Sequence, residues 1–112
     1  MAQATLKEIA SSLQFILERI LERFQPSKVI LYGSYASGQA MSDSDVDLLV
    51  VAPEAPGWRE AHSFRTELQS NSPIQLHLVF MRDEQFRETQ DVVGGLAFPA
   101  SRAGVVLYEQ KS

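Results

Sequence analysis

Two aspartates stand at the entrance to an apolar run: Asp45-Val46-Asp47 leads directly into Leu48-Leu49-Val50-Val51. A short run that stays apolar without alternating reads as a strand buried on both faces, and hence central in its sheet. Carboxylates are costly to place at the mouth of such a strand. Residues two apart on a strand share a face, which sets Asp45 and Asp47 side by side, roughly 6 to 7 Å apart along the backbone. At neutral pH such a pair repels itself unless a cation lies between the carboxylates or one of them keeps a proton. Upstream, with ten residues between, stands Gly33-Ser34. Glycine allows the backbone to come close to a bulky anion. The Ser34 hydroxyl adds a donor, and the N–H groups that follow can form an anion-binding concavity. Gly38 adds a second flexible point. The arrangement suits a metal-bound phosphate. It does not suit a calcium loop starting at Asp43, because an EF-hand needs glycine at its sixth position and glutamate at its twelfth; here those are Leu48 and Glu54.

The rest of the chain frames this segment. Leu6, Ile9, Leu13, Ile16, Leu17, Ile20, Leu21 and Phe24 recur at spacings of three and four, which predicts an amphipathic helix over about 5–24. Thr5 with Glu8 fits a capping box, and Gln25-Pro26-Ser27 ends the helix. Lys28 to Tyr32 reads as a short buried strand running into Gly33. Residues 34–44 suit a loop or one helical turn, and Asp45 to Val51 a second strand. Pro53 and Pro56-Gly57 break the chain. Trp58, Ala61, Phe64 and Leu68 mark a second helix, with Trp58 expected as a core or helix-start anchor and His62 on the surface. Ile74 to Phe80 reads as a third strand, and Asp83 to about Asp91 as a helix. Gly94-Gly95 is expected as a hinge or turn, Ala97 to Ala103 is ambiguous, and Val105 to Tyr108 is an apolar strand or tail. This order predicts a small α/β (α+β) domain with a sheet of at least three strands covered by helices.

At 112 residues, one domain spanning 1–112 is expected. The net charge of −4, with no block of like charge, argues against nucleic acid as the main ligand. No cysteine is present, which excludes disulfides, a thiolate nucleophile and a cysteine zinc site. The first apolar residues are spaced helically and interrupted by Lys7 and Glu8, unlike a signal peptide. No apolar run reaches the length of a membrane span. A cytoplasmic location is expected.

Gly33-Ser34-x-Ala36-x-Gly38 followed by Ser44-Asp45-x-Asp47-Leu48 resembles the minimal nucleotidyltransferases (MNT) of the DNA polymerase β superfamily. The resemblance extends over nearly the whole chain, including the closing Gly104-Val105-Val106-Leu107-Tyr108-Glu109. It implies a polymerase-β-like fold, a small mixed sheet flanked by helices. It implies transfer of a nucleoside monophosphate from ATP or another nucleoside triphosphate to an acceptor. Asp45 and Asp47 would be the catalytic, metal-holding carboxylates for Mg2+, as two ions, and Gly33 and Ser34 would bind the nucleotide. Two magnesium ions neutralise a triphosphate and align the incoming hydroxyl, and each takes one or two carboxylates with water and phosphate completing its shell. The resemblance also implies an antitoxin role beside a helical HEPN-domain toxin. A homodimer is a further way to complete the site.

The chain departs from the family pattern twice. Members with a full catalytic site carry a third carboxylate on the next strand; here that position falls on His77 or, two residues earlier, on Gln75. Imidazole can serve as a ligand or base but is a poor magnesium ligand. Many relatives also carry a basic residue between Ala36 and Gly38, where this chain has Ser37. Two alternatives to an active transferase stay open: an antitoxin that neutralises a HEPN partner by binding alone, and a sensor that binds ATP without turnover.

Overall fold

The computed structural model describes residues 6–41, 44–72, 74–89 and 104–110. Within them the elements run α1 (Leu6–Phe24), β1 (Lys28–Tyr32), α2 (Ser34–Ser37), β2 (Val46–Ala52), α3 (Trp58–Ser70), β3 (Leu76–Arg82), α4 (Asp83–Thr89) and β4 (Val105–Glu109). The strands form one mixed sheet in the order β3-β2-β1-β4. β1 runs antiparallel to β2 and to β4, while β2 runs parallel to β3. The expected mixed sheet with flanking helices is what these residues build, and β2 is interior, as its unbroken apolar run requires.

Strand alternation sorts the sheet residues onto two unlike faces. One face carries Val29, Leu31, Val46, Leu48, Val50, Leu76 and Leu78, packed with Ile9, Leu13, Ile16 and Ile20 of α1 and Phe64 and Leu68 of α3. Spacings of three and four put those four α1 residues on one stripe. The helix stops where Gln25 takes a left-handed backbone (φ 49°) ahead of Pro26. Phe24 reaches both neighbours, its ring edge-on to Phe64 at 4.7 Å and to Phe80 at 4.9 Å. Burying one such leucine, Leu48 for example, contributes about 1.5–3 kcal/mol. The exposed ion pairs Arg19–Glu67 and Arg23–Glu60 between α1 and α3 add about 0–1 kcal/mol each, so apolar packing decides how these helices sit. The second face holds a smaller buried cluster, Ile30, Leu49, Val51 and Met81 under Phe86 of α4. Asp47 and His77 share the parity of this second face.

Two strand boundaries shift, and three readings left open are decided. β2 starts at Val46 and not at Asp45, which lies in the preceding loop and is exposed. β3 is displaced towards the C-terminus, from 74–80 to Leu76–Arg82. The short turn in 34–44 is a helix of four residues, Ser34–Ser37, closed by Gly38 in the left-handed region. Trp58 begins α3 as a helix-start residue, yet it is 75% exposed and anchors no core; the guanidinium of Arg59 lies 5.3 Å from its ring centroid. Val105–Glu109 is a strand, closing the sheet against β1. Among the described residues no helix is long and apolar enough to cross a membrane. Thr5, Asp43, Gly94-Gly95, Ala97 to Ala103 and the end of the helix expected to reach Asp91 lie outside the described residues.

Candidate functional site

The site forms where three neighbouring strands meet at one end of the sheet. Tyr32 ends β1 opposite Asp47 of β2, and Asp47 in turn stands opposite His77 of β3. His77 Nδ1 lies 3.0 Å from Asp47 Oδ1, with the Asp47 side chain 22% exposed and the imidazole 54% exposed. The two residues offered for the third position are thereby separated. His77 is level with Asp47, whereas Gln75 precedes the strand and contributes its backbone carbonyl to the Val46 N–H at 2.8 Å. That hydrogen bond fixes the register at the mouth of β2.

Gly33 is the turn that admits Asp47. Its φ of 76° and ψ of −152° belong to a region essentially closed to residues with a side chain. A Cβ at Gly33 would collide with Asp47 Oδ2, so the carboxylate occupies the space that the missing side chain leaves. The chain then enters α2, where Ser37 N–H donates to the Gly33 carbonyl at 3.1 Å and Gln39 N–H to the Ser34 carbonyl at 2.9 Å. Buried Tyr35 and Ala40 pin this loop to the core. Met41 N–H donates to Ser44 Oγ at 2.9 Å and Ser44 N–H donates back to the Met41 carbonyl at 3.0 Å, a reciprocal pair that delivers the chain to Asp45. Gly33, Ser34, Asp47 and His77 are thus brought to one end of the sheet, with Asp45 exposed at its rim. His62 lies on the exposed side of α3, apart from them.

Tyr32 belongs to this neighbourhood and was visible in the sequence only as the last residue of a strand. Its hydroxyl is buried with no hydrogen-bond partner among the described residues. Burial raises its pKa above the ordinary tyrosine value, and the nearby Asp47 carboxylate raises it further. Folding therefore favours the protonated phenol. Its stabilising contribution is intact below the unfolded pKa of about 10 and is lost as pH rises through the higher folded value. An ultraviolet titration of the phenolate band should show one tyrosine ionising late, and Asp47→Asn should move that step down.

The donor set bears on which cation could bind. Two carboxylates, one exposed and one half-buried, match the one or two that Mg2+ takes from a protein before water and phosphate complete its octahedron. The recess over Gly33 is taken by the Asp47 carboxylate, so the glycine serves here to seat that carboxylate at the end of the sheet. No group of three or more His, Cys, Asp or Glu that could hold a metal ion occurs among the described residues, so a cation here would depend on ligands brought by the nucleotide. A surface depression of about 380 Å³ bounded by Arg23, Phe24, Pro53, Glu54 and Glu60 opens beyond the other end of β2. Seven strand residues, or roughly 23 Å, separate it from Asp45, and it has no part in this chemistry.

A mixed sheet with one aspartate on its interior strand, a second in the loop that enters that strand and a glycine turn beside them is the architecture of a nucleotidyltransferase. Residues 13–96 match the model of the nucleotidyltransferase domain family. Over 79 residues, 70% of this chain and 80% of the relative, the sequence is 45% identical to the protein adenylyltransferase MntA of Thermococcus cleftensis. The chain belongs to the minimal nucleotidyltransferase family. Among solved structures, a toxin–antitoxin complex with AMP-PNP matches with a TM-score of 0.65 and 21% identity, covering 88% of this chain and 73% of that one. The tri-AMPylated HEPN toxin of Shewanella oneidensis in complex with its MNT antitoxin gives a TM-score of 0.60 and 19% identity, covering 90% and 72%. At such identities the likeness shows the fold.

Proposed function

We propose that this chain transfers AMP from ATP to a hydroxyl on a HEPN-type protein partner, as the antitoxin of a cytoplasmic pair. The observation that carries the proposal is the Asp47 carboxylate seated in the space that Gly33 leaves empty, at the mouth of an interior strand. The MntA relative is named a protein adenylyltransferase, and the Shewanella oneidensis complex holds an AMPylated HEPN toxin beside an MNT antitoxin; both support the same acceptor class here. In the reaction an acceptor hydroxyl oxygen bonds to the α-phosphorus of ATP, the bond to the β-phosphate oxygen breaks, pyrophosphate leaves, and the hydroxyl proton passes to solvent or a base. Asp45 and Asp47 would hold Mg2+, as one or two ions, and that metal when bound neutralises the phosphates. Gly33 and Ser34 would bind the nucleotide, Gly33 by seating Asp47 beside the phosphates and the Ser34 hydroxyl by donating to them. His77 fixes the Asp47 carboxylate through Nδ1.

The test is intact-mass analysis of whatever co-purifies with the tagged protein from its own host, incubated with ATP and Mg2+. A mass gain of whole AMP units on the partner is expected, and it should be absent with Asp45→Asn. A second reading draws on His77, where an imidazole and not a carboxylate stands level with Asp47: the chain then neutralises its partner by binding alone. A stable complex with no mass gain, and with neutralisation unaffected by Asp45→Asn, would establish that reading instead.

A further inference from the structure

We infer that Asp47 and His77 form a mixed oxygen–nitrogen chelate that shifts this centre from Mg2+ towards a first-row transition ion such as Mn2+. The inference rests on Asp47 being a cation ligand, as proposed above. Asp47 Oδ1 and His77 Nδ1 are 3.0 Å apart. Two ligands at right angles, each about 2.1 Å from one ion, stand about 3.0 Å from each other. The hydrogen-bonded pair thus already has the spacing of a chelate, and the direct pairing of the two residues in the β2–β3 ladder holds it. A cation held by both atoms sits to one side of the line joining them, and Nδ1 offers it a lone pair in the tautomer that carries the ring proton on Nε2. The ring is 54% exposed and Asp47 22% exposed, so both are open to an incoming ion and its waters. Mg2+ is a hard ion that takes oxygen ligands and keeps its waters. An imidazole nitrogen favours transition ions over it. The metal preference of the centre is therefore set by His77, a residue that adds no charge to the site when neutral.

The experiment measures metal binding directly. Full-length protein labelled with 15N-histidine is titrated with Mn2+ and with Mg2+ in the presence of a non-hydrolysable ATP analogue, by calorimetry and by pulsed electron paramagnetic resonance on the Mn2+ form. Two results are expected: a 15N coupling from directly bound imidazole that vanishes in His77→Asp, and a Mn2+ over Mg2+ preference that falls about tenfold or more in that variant, the scale on which even indirect partners of a metal act. His77 is exposed enough for the variant to fold, and the 15N signal of the wild-type protein needs no variant. Bound Mn2+ without 15N coupling, and with the same preference in His77→Asp, overturns the chelate while leaving the carboxylate site of Asp45 and Asp47 standing. Failure of the wild-type protein to bind Mn2+ at all overturns the chelate and the proposed metal site together.

Discussion

Asp47→Asn should lower AMP transfer by about 10²-fold or more, the scale of losing one fixed charge interaction at the reacting phosphates, while the protein stays folded. The substitution keeps the volume and removes the charge. Asp47 is the more demanding of the two aspartates to replace, because it is half-buried, paired with His77 on one side and level with Tyr32 on the other. Asp45 is exposed at the rim. The stability cost should be small, since the pair with a 54%-exposed imidazole is of the kind worth about 0–1 kcal/mol. Steady-state transfer and thermal unfolding, measured on the same preparation, check both halves. Near-normal transfer by a folded Asp47→Asn protein would remove Asp47 from the mechanism.

Gly33→Ala should damage both fold and site, and Gly38→Ala is its control. Both glycines have positive φ, 76° and 79°. A Cβ at Gly38 meets nothing within 4 Å, whereas at Gly33 it runs into the Asp47 carboxylate. Gly38 also has ψ 14°, the ordinary left-handed region, where a side chain costs about 1–2 kcal/mol. Gly33, with ψ −152°, lies in a glycine-only region; strain there is of order 1–3 kcal/mol, and displacement of Asp47 adds to it. Denaturant unfolding should therefore rank Gly33→Ala as the less stable of the two, and only Gly33→Ala should lose transfer to the degree that Asp47→Asn does. Equal behaviour of the two variants would mean that the recess over Gly33 does not hold Asp47.

Much of this was legible in the residues. The α1 stripe follows from helical period because one face of a regular helix is a local property. The interior position of β2 follows from its unbroken apolar run. The choice between His77 and Gln75 was not legible, because residues two apart on a strand share a face and no pattern of period two can tell them apart. What separates them is a hydrogen bond between segments far apart in sequence, from Val46 N–H to the Gln75 carbonyl. Tyr32 was missed for a related reason: its place beside Asp47 is a cross-strand relation, and its own surroundings in sequence show only the end of a strand. Trp58 misled in the opposite direction. It fits the apolar spacing of α3, but the core takes up that face only from Phe64 and Leu68 onward, leaving the first turn overhanging.

The strand order has a kinetic consequence. Both pairings of Asp47 join consecutive strands, but the one with Tyr32 is antiparallel across a short connection, while the one with His77 spans 30 residues and waits for the α3 crossover to fold back. Doubling a loop adds only about 0.6 kcal/mol of closure entropy, but parallel pairing through a crossover is slow compared with closing adjacent antiparallel strands. The glycine recess and its carboxylate can therefore take shape before the imidazole arrives. Among the described residues β3 is also the outer strand of the sheet on that side, so fraying at this border withdraws His77 and leaves Asp47 seated over Gly33. The centre can lose its nitrogen donor by degrees without coming apart.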